Sequence, residues 1–186
     1  SDNPAFVKMA TKTVTDIVKT VPQVEIAQGA VSLVQTLIAN KSFNDAFDVI
    51  EAIVKAVPQA EVAHRVLSLV QPLLESDNPA FVQTATKTVT ELVRTVPQLE
   101  VAQEALSLMQ ILIANKNIFA AHMAIETIIK AVPKTEVAHK VLSLVQPILE
   151  SDNPQFVKVA ARTVKEVVRI VPEIEVAHAS LSLVQT

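Results

Sequence analysis

An all-α fold is predicted: a right-handed α-solenoid of about ten antiparallel helices, paired into five two-helix units. Two periods and one helical pattern predict it. The segment "SDNPAFV" opens the chain, returns at Ser76–Val82, and comes back at Ser151–Val157 with Gln155 in place of alanine. Residues 1–75 and 76–150 agree at about two-thirds of positions, and 151–186 begin a third copy. Inside each copy runs a shorter period. Val-Pro stands at Val21-Pro22, Val57-Pro58, Val96-Pro97, Val132-Pro133 and Val171-Pro172, at alternating spacings of 36 and 39. Apolar residues between these marks recur at helical spacing. Periods of this size point to stacked repeats, here one helical-repeat domain over 1–186.

The first helix of the chain precedes the first Val-Pro. Phe6, Val7, Ala10, Val14, Ile17 and Val18 fall on one face, and Lys8, Lys12, Asp16 and Lys19 on the other. The helix after Val-Pro, "QVEIAQGAVSLVQTLI", has two apolar rows. One is Val24, Ala27, Val31, Val34 and Ile38; the other is Ile26, Ala30, Leu33 and Leu37. Only the stripe of Glu25, Gln28, Ser32 and Gln35 is polar, so this helix is expected to be buried on both flanks. "SDNP" reads as a helix start, with Asp77 or Asn78 as cap and Pro79 in the first turn, where a missing N–H costs nothing. Val-Pro should turn the other corner, with proline starting the next helix. The chain has one glycine, Gly29. Asn40 and Asn115 are therefore expected to stand in for glycine just past a helix end. No unit can bury two apolar rows alone, and stacking in a line does so.

Composition narrows the classes. Half of the 186 residues are apolar, and the mean hydropathy is +0.38. The longest uncharged run, around Ile26–Asn40, is broken by Gln28, Ser32 and Gln35, and it falls short of the roughly 20 apolar residues of a membrane span. No basic start leads into an apolar segment and a small-residue cleavage site, so no leader is read. A soluble protein, cytoplasmic by default and without membrane, is the expectation. There is no cysteine, which excludes disulfides, thiolate metal sites and cysteine nucleophiles. The net charge of −3 and the absence of Tyr and Trp argue against nucleic acid as the main partner.

The stretch "LSLVQPLLESDNPAFVQTATKTVTELV", Leu67–Val93, resembles a HEAT repeat. Pro72 and Pro147 are similar to that family's first-helix proline, and Asp77-Asn78-Pro79 to its turn. Val82-Gln83 occupies the place of its aliphatic-Arg pair, as do Val7-Lys8 and Val157-Lys158. Armadillo-like and other two-helix solenoids fit the same pattern. The resemblance implies a concave surface lined by second-helix residues, among them Lys8, Lys12, Lys19 and Asp48. Copies this alike, without Cys or Trp, suit an engineered or consensus repeat protein. Val- and Thr-rich helices such as "TKTVTDIV" do not suit a fully idealised one.

Several rows of polar residues repeat. His64, His139 and His178 share one slot, filled by Gln28 and Gln103 in the other units. Stacked helices sit about 10 Å apart, too far for three such rings to converge on a metal, so the row reads as a solvated stripe. The Glu25/Glu61/Glu100/Glu136/Glu175 ladder reads as first-turn carboxylates, with Glu61–Arg65 and Glu136–Lys140 as i,i+4 pairs. The Ser32/Ser68/Ser107/Ser143/Ser182 row has no base beside it. No cofactor or metal is expected, and no constellation supports an enzyme.

One segment breaks the repeat. "SFNDAFDV", Ser42–Val49, corresponds to "NIFAAHMA", Asn117–Ala124: Asn44 becomes Phe119, Phe47 becomes His122 and Asp48 becomes Met123. Alignment puts 119 and 123 on the outward stripe, with Lys8 and Lys12. Either Phe119 and Met123 are exposed as a contact surface, or the helix rolls and tucks them in.

The functional expectation is a non-enzymatic scaffold that binds a protein or peptide through Phe119, Met123 and His122, with Lys87, Arg94, Arg162 and Arg169 around them. An acidic, amphipathic partner would suit that set. The alternative is a nucleic-acid-binding solenoid that uses the basic rows on its second helices, for which salt-dependent binding to single-stranded RNA would be the mark. The outermost helices carry the same apolar pattern as the internal ones, so head-to-tail self-association is also expected, through Phe6 and Met9 at one end and Leu181 and Leu183 at the other.

Overall fold

The computed structural model describes residues 4–184. Helix accounts for 84% of them, and there is no strand among the described residues. Ten helices follow one another: α1 (Pro4–Thr20), α2 (Val24–Ala39), α3 (Phe43–Ala56), α4 (Ala60–Leu74), α5 (Pro79–Thr95), α6 (Leu99–Ala114), α7 (Ile118–Ala131), α8 (Thr135–Leu149), α9 (Pro154–Ile170) and α10 (Ile174–Val184). This is an all-α helical repeat in which neighbours in sequence pack together.

The helix starts are of two kinds. At "SDNP" the cap is Asn78, not Asp77: its side-chain Oδ1 accepts the Ala80 N–H at 3.0 Å. Asn153 caps α9 in the same way from Gln155. The Ser76 and Ser151 hydroxyls accept the N–H of these two asparagines at 3.2 Å. Pro79 and Pro154 take the first helical position, where no N–H is needed. In the copy that opens the chain, Ser1 to Asn3 lie outside the described residues.

Val-Pro works differently from the expectation. Proline does not start the next helix. Val57 leaves helical geometry at φ −128°, while its N–H still donates to the Ile53 carbonyl at 2.9 Å. The Gln59 N–H then donates back across Pro58 to the Val57 carbonyl at 2.8 Å, and α4 begins only at Ala60. This is a tight i→i+2 turn centred on proline, whose locked φ suits it. The same bonds form around Pro22, Pro97 and Pro133. Val57, Val96, Val132 and Val171 are buried, so the corner is also an anchor.

The glycine-like position differs too. Asn40 keeps φ −85°, and Lys41 is the left-handed residue at φ 59°; Lys116 repeats it at φ 59°. Ser42 N–H reaches the Leu37 carbonyl at 2.8 Å and Lys41 N–H the Ile38 carbonyl at 3.0 Å. That pair of bonds is a Schellman motif. Its left-handed site falls one residue after the asparagine.

The helices fall into two compact units, Ser1–Leu73 and Leu74–Thr186. In the first, α3 packs on α1 and on α2. In the second, α5, α7 and α9 pack side by side as one layer, and α6, α8 and α10 as another; consecutive helices join the layers. The double apolar rows explain this. α6 buries Ala102, Leu106 and Met109 of one row and Val101, Ala105, Leu108 and Leu112 of the other. α8 does the same with Val137, Val141 and Leu144 beside Ala138, Leu142 and Val145. α5, α7 and α9 keep one face free, and the candidate surface lies there.

Candidate binding surface

The free face of α7 is built around Phe119 and Met123. They are 60% and 62% exposed, one turn apart. Their neighbours Ile118, Ala121, Ala124 and Ile125 hold the helix down, so of the two sequence alternatives the structure takes the exposed one. The helix has not rolled.

His122 departs from the partner-binding set. It is 7% exposed and points into the protein. Its Nδ1 lies 2.8 Å from the hydroxyl of Thr163 on α9. Thr163 already donates its proton to the Val159 carbonyl at 3.1 Å. The ring therefore donates from Nδ1, and Nε2 is the unprotonated nitrogen. Buried Nε2 has no hydrogen-bond partner; the nearest carboxylate, Glu126, is 3.9 Å away. Burial pushes the His122 pKa below the ordinary histidine value. Glu126 opposes this, Arg162 reinforces it, and Glu166 opposes it again.

A chain of charges continues beside it. Glu126 pairs with Lys130 on α7, Lys130 lies 3.6 Å from Glu166 on α9, and Glu166 pairs with Arg169. Hydrogen bonding to Arg169 leads in holding the Glu166 carboxyl below the usual range, against a smaller opposing effect of burial. The bond to Glu126 raises Lys130, and the bond to Glu166 raises Arg169. Lys130 and Arg169 are solvent-exposed while Glu126 and Glu166 are half-buried, and pairs with an exposed partner contribute little to stability. They do fix where the charges stand.

Between α5 and α7 runs a groove of about 720 Å³. Val82, Ala120 and Ala124 lie along it, Met123 forms one wall, and Lys87 stands on the other. A smaller hollow of about 400 Å³ beside Met123 is lined by Arg94, Glu126 and Lys130. Lys87 and Arg94 are exposed, Lys87 without an ion pair and Arg94 3.8 Å from Glu91. Arg162 and Arg169 are exposed on α9. In this unit α5, α7 and α9 together carry seven Lys or Arg against three Glu, whereas α6, α8 and α10 carry one Lys against four Glu. The free layer is basic and the other acidic.

Sequence reasoning missed Thr163, Glu126 and the groove itself. Asp45 and Val49 of one copy become Ala120 and Ala124 in the next, which changes the lining of the groove and not its presence, since the equivalent hollow between α1 and α3 measures about 760 Å³. Nothing in the sequence marked Thr163 as a partner of His122.

The polar rows behave as local structure. Ser68, Ser107, Ser143 and Ser182 each donate to the carbonyl four residues earlier. Arg65 lies 3.6 Å from Glu61, as expected. Lys140 does not take Glu136; its Nζ reaches across to α6, to the Gln103 carbonyl and the Ser107 hydroxyl, each at 2.7 Å. No group of three or more metal-ligating side chains occurs among the described residues, and no helix among them is long and apolar enough to cross a membrane. Phe6, Met9 and Leu181 are exposed, and Leu183 is half-buried.

The chain matches no protein-family model, no curated protein and no solved structure.

Proposed function

We propose that the chain is a HEAT-like, non-enzymatic scaffold that binds a protein or peptide on the free layer of its second unit. One observation carries the reading: Phe119 and Met123 stand in water on a helix whose equivalent, α3, has Asn44 and Asp48 in the same places. Exposing two large apolar side chains helps neither folding nor solubility, and such pairs mark contact surfaces. The groove beside them has the size of an ordinary binding cleft.

Selection of a displayed peptide library on the immobilised chain tests it. Enriched peptides should lose binding to Phe119→Asp. That variant should melt within about 0.5 kcal/mol of the parent, as surface changes do. A library that yields no Phe119-dependent binder overturns the reading. The excess of basic residues on the same layer favours one second reading, binding of single-stranded RNA. Its mark would be a steep loss of affinity with salt and indifference to Phe119→Asp.

A further inference from the structure

The chain has three methionines and no cysteine, tyrosine or tryptophan. The thioethers are therefore its most readily oxidised groups. The fold sets them apart. Met109 of α6 is 0% exposed, whereas Met9 of α1 and Met123 of α7 stand 61% and 62% in water. Oxidants reach sulfur according to its exposure, so folding shields Met109 and offers the other two.

Of that pair, Met123 lies in the candidate surface. The groove between α5 and α7 is polar over much of its lining. Glu75 and Asp77 enter it from the turn before α5, and Lys87 from α5 itself. The hydroxyl protons of Thr86, Thr90 and Thr127 are engaged by carbonyls of their own helices. Among the described residues that line the groove, Met123 is the one large apolar side chain that stands exposed. The equivalent groove between α1 and α3 has Asp48 in that place, and lysine and carboxylate side chains, Lys55 among them, make up most of its lining. One side chain thus decides whether the α5–α7 groove offers a guest an apolar wall. The same thioether borders the smaller hollow of Arg94, Glu126 and Lys130.

We infer that Met123 is a modification site, at which a peroxide oxidises the thioether to the sulfoxide and so weakens partner binding on the surface that it shares with Phe119. This rests on the protein-binding reading above and adds its regulation. The step balances with hydrogen peroxide. A sulfur lone pair attacks one peroxide oxygen, the O–O bond breaks and an S–O bond forms. Sulfur loses two electrons, and the other oxygen leaves as water. A dithiol reverses the step: it is oxidised to a disulfide, and the sulfoxide oxygen departs as water. The sulfoxide is polar and accepts hydrogen bonds strongly, with the cations Arg94 and Lys130 beside the same hollow. An apolar anchor seated on Met123 then has to displace bonds to that oxygen that it cannot replace. Stability does not follow the change, because this side chain stands in water in the folded and the unfolded chain alike.

Peroxide treatment followed by peptide mapping in a mass spectrometer reads the site itself and needs no ligand. Met9 and Met123 should each gain one oxygen, and Met109 should gain it only when urea unfolds the protein. Oxidation of Met123 as slow as that of Met109 overturns the site. The effect on binding is read with a methionine-free, Phe119-dependent peptide from the displayed library, after the peroxide is removed. Oxidised Met9→Leu protein, with its sulfoxide at position 123, should bind that peptide at least about tenfold more weakly. It should melt as before, and should regain affinity after methionine sulfoxide reductases of both stereospecificities act with a dithiol. Met123→Leu should bind the peptide and keep its affinity through the peroxide treatment. Undiminished binding by oxidised Met9→Leu protein, or an equal loss in Met123→Leu, overturns the switch and leaves the binding reading standing. No Phe119-dependent peptide of any kind overturns the broader reading, and the switch with it.

Discussion

At neutral pH the His122 ring is uncharged, because burial costs the imidazolium more than Glu126 and Glu166 return to it. The unfolded chain binds a proton at this histidine near its ordinary value, while the folded chain resists. Stability therefore rises with pH through this group and is lost as pH falls below about 6.5. Glu166 adds a loss of the same sign at more acid pH, since its folded pKa is lowered. The two are separable. His122→Phe, which installs the residue of the other copy at Phe47, should flatten the stability curve below about pH 6.5 and leave the more acid limb in place. Urea melts of both proteins at several pH values measure it, and an unchanged slope in that window would count against a buried neutral ring. On the same helix, Phe119 and Met123 obey the opposite rule. Their surroundings are water, so polar replacements there should be silent in stability and loud in binding.

Helix ends show how far residue patterns reach. Asn153→Ala removes the side-chain acceptor for the Gln155 N–H and should destabilise the protein by about 1 kcal/mol; Asn153→Gly should cost a few tenths. Thermal melts decide, and a neutral alanine variant would mean that the cap is not needed. This cap was legible from four letters, because only a short polar acceptor before proline satisfies the first turn. The helices and their double apolar rows were legible for the same kind of reason: the period alone says which faces must be buried. The left-handed turn was placed one residue early. Asparagine is the better-known substitute for glycine, yet the bonds that close the motif come from Lys41 and Ser42. His122 was placed in the partner-binding set because it stands with Phe119 and Met123 in the segment that breaks the repeat. Its burial depends on Thr163, 41 residues away on another helix, and no local pattern carries that. Lys140 is similar: its partner lies on α6, so helix-internal pairing rules pointed to Glu136 instead.

On the scale of the whole chain, most contacts are between helices adjacent in sequence or one apart. Each compact unit thus carries its own core. Residues 74–186 contain both layers of the second unit, and a fragment with those bounds should be helical and lose its helix cooperatively on heating. Circular dichroism of the fragment checks this; a spectrum of unordered chain would show that its core needs the first unit. The intact protein should give an almost purely helical spectrum and fold fast for its size, as chains dominated by local contacts do.

The exposed position of Phe119 has an optical consequence. With no tryptophan or tyrosine in its sequence, the protein is nearly silent in near-ultraviolet absorption and emission. Phe119→Trp would place the sole fluorophore in solvent, on the ridge beside the α5–α7 groove, with no background from elsewhere in the chain. Its emission should be that of a hydrated indole in the free protein, and it should shift to the blue only when something covers α7.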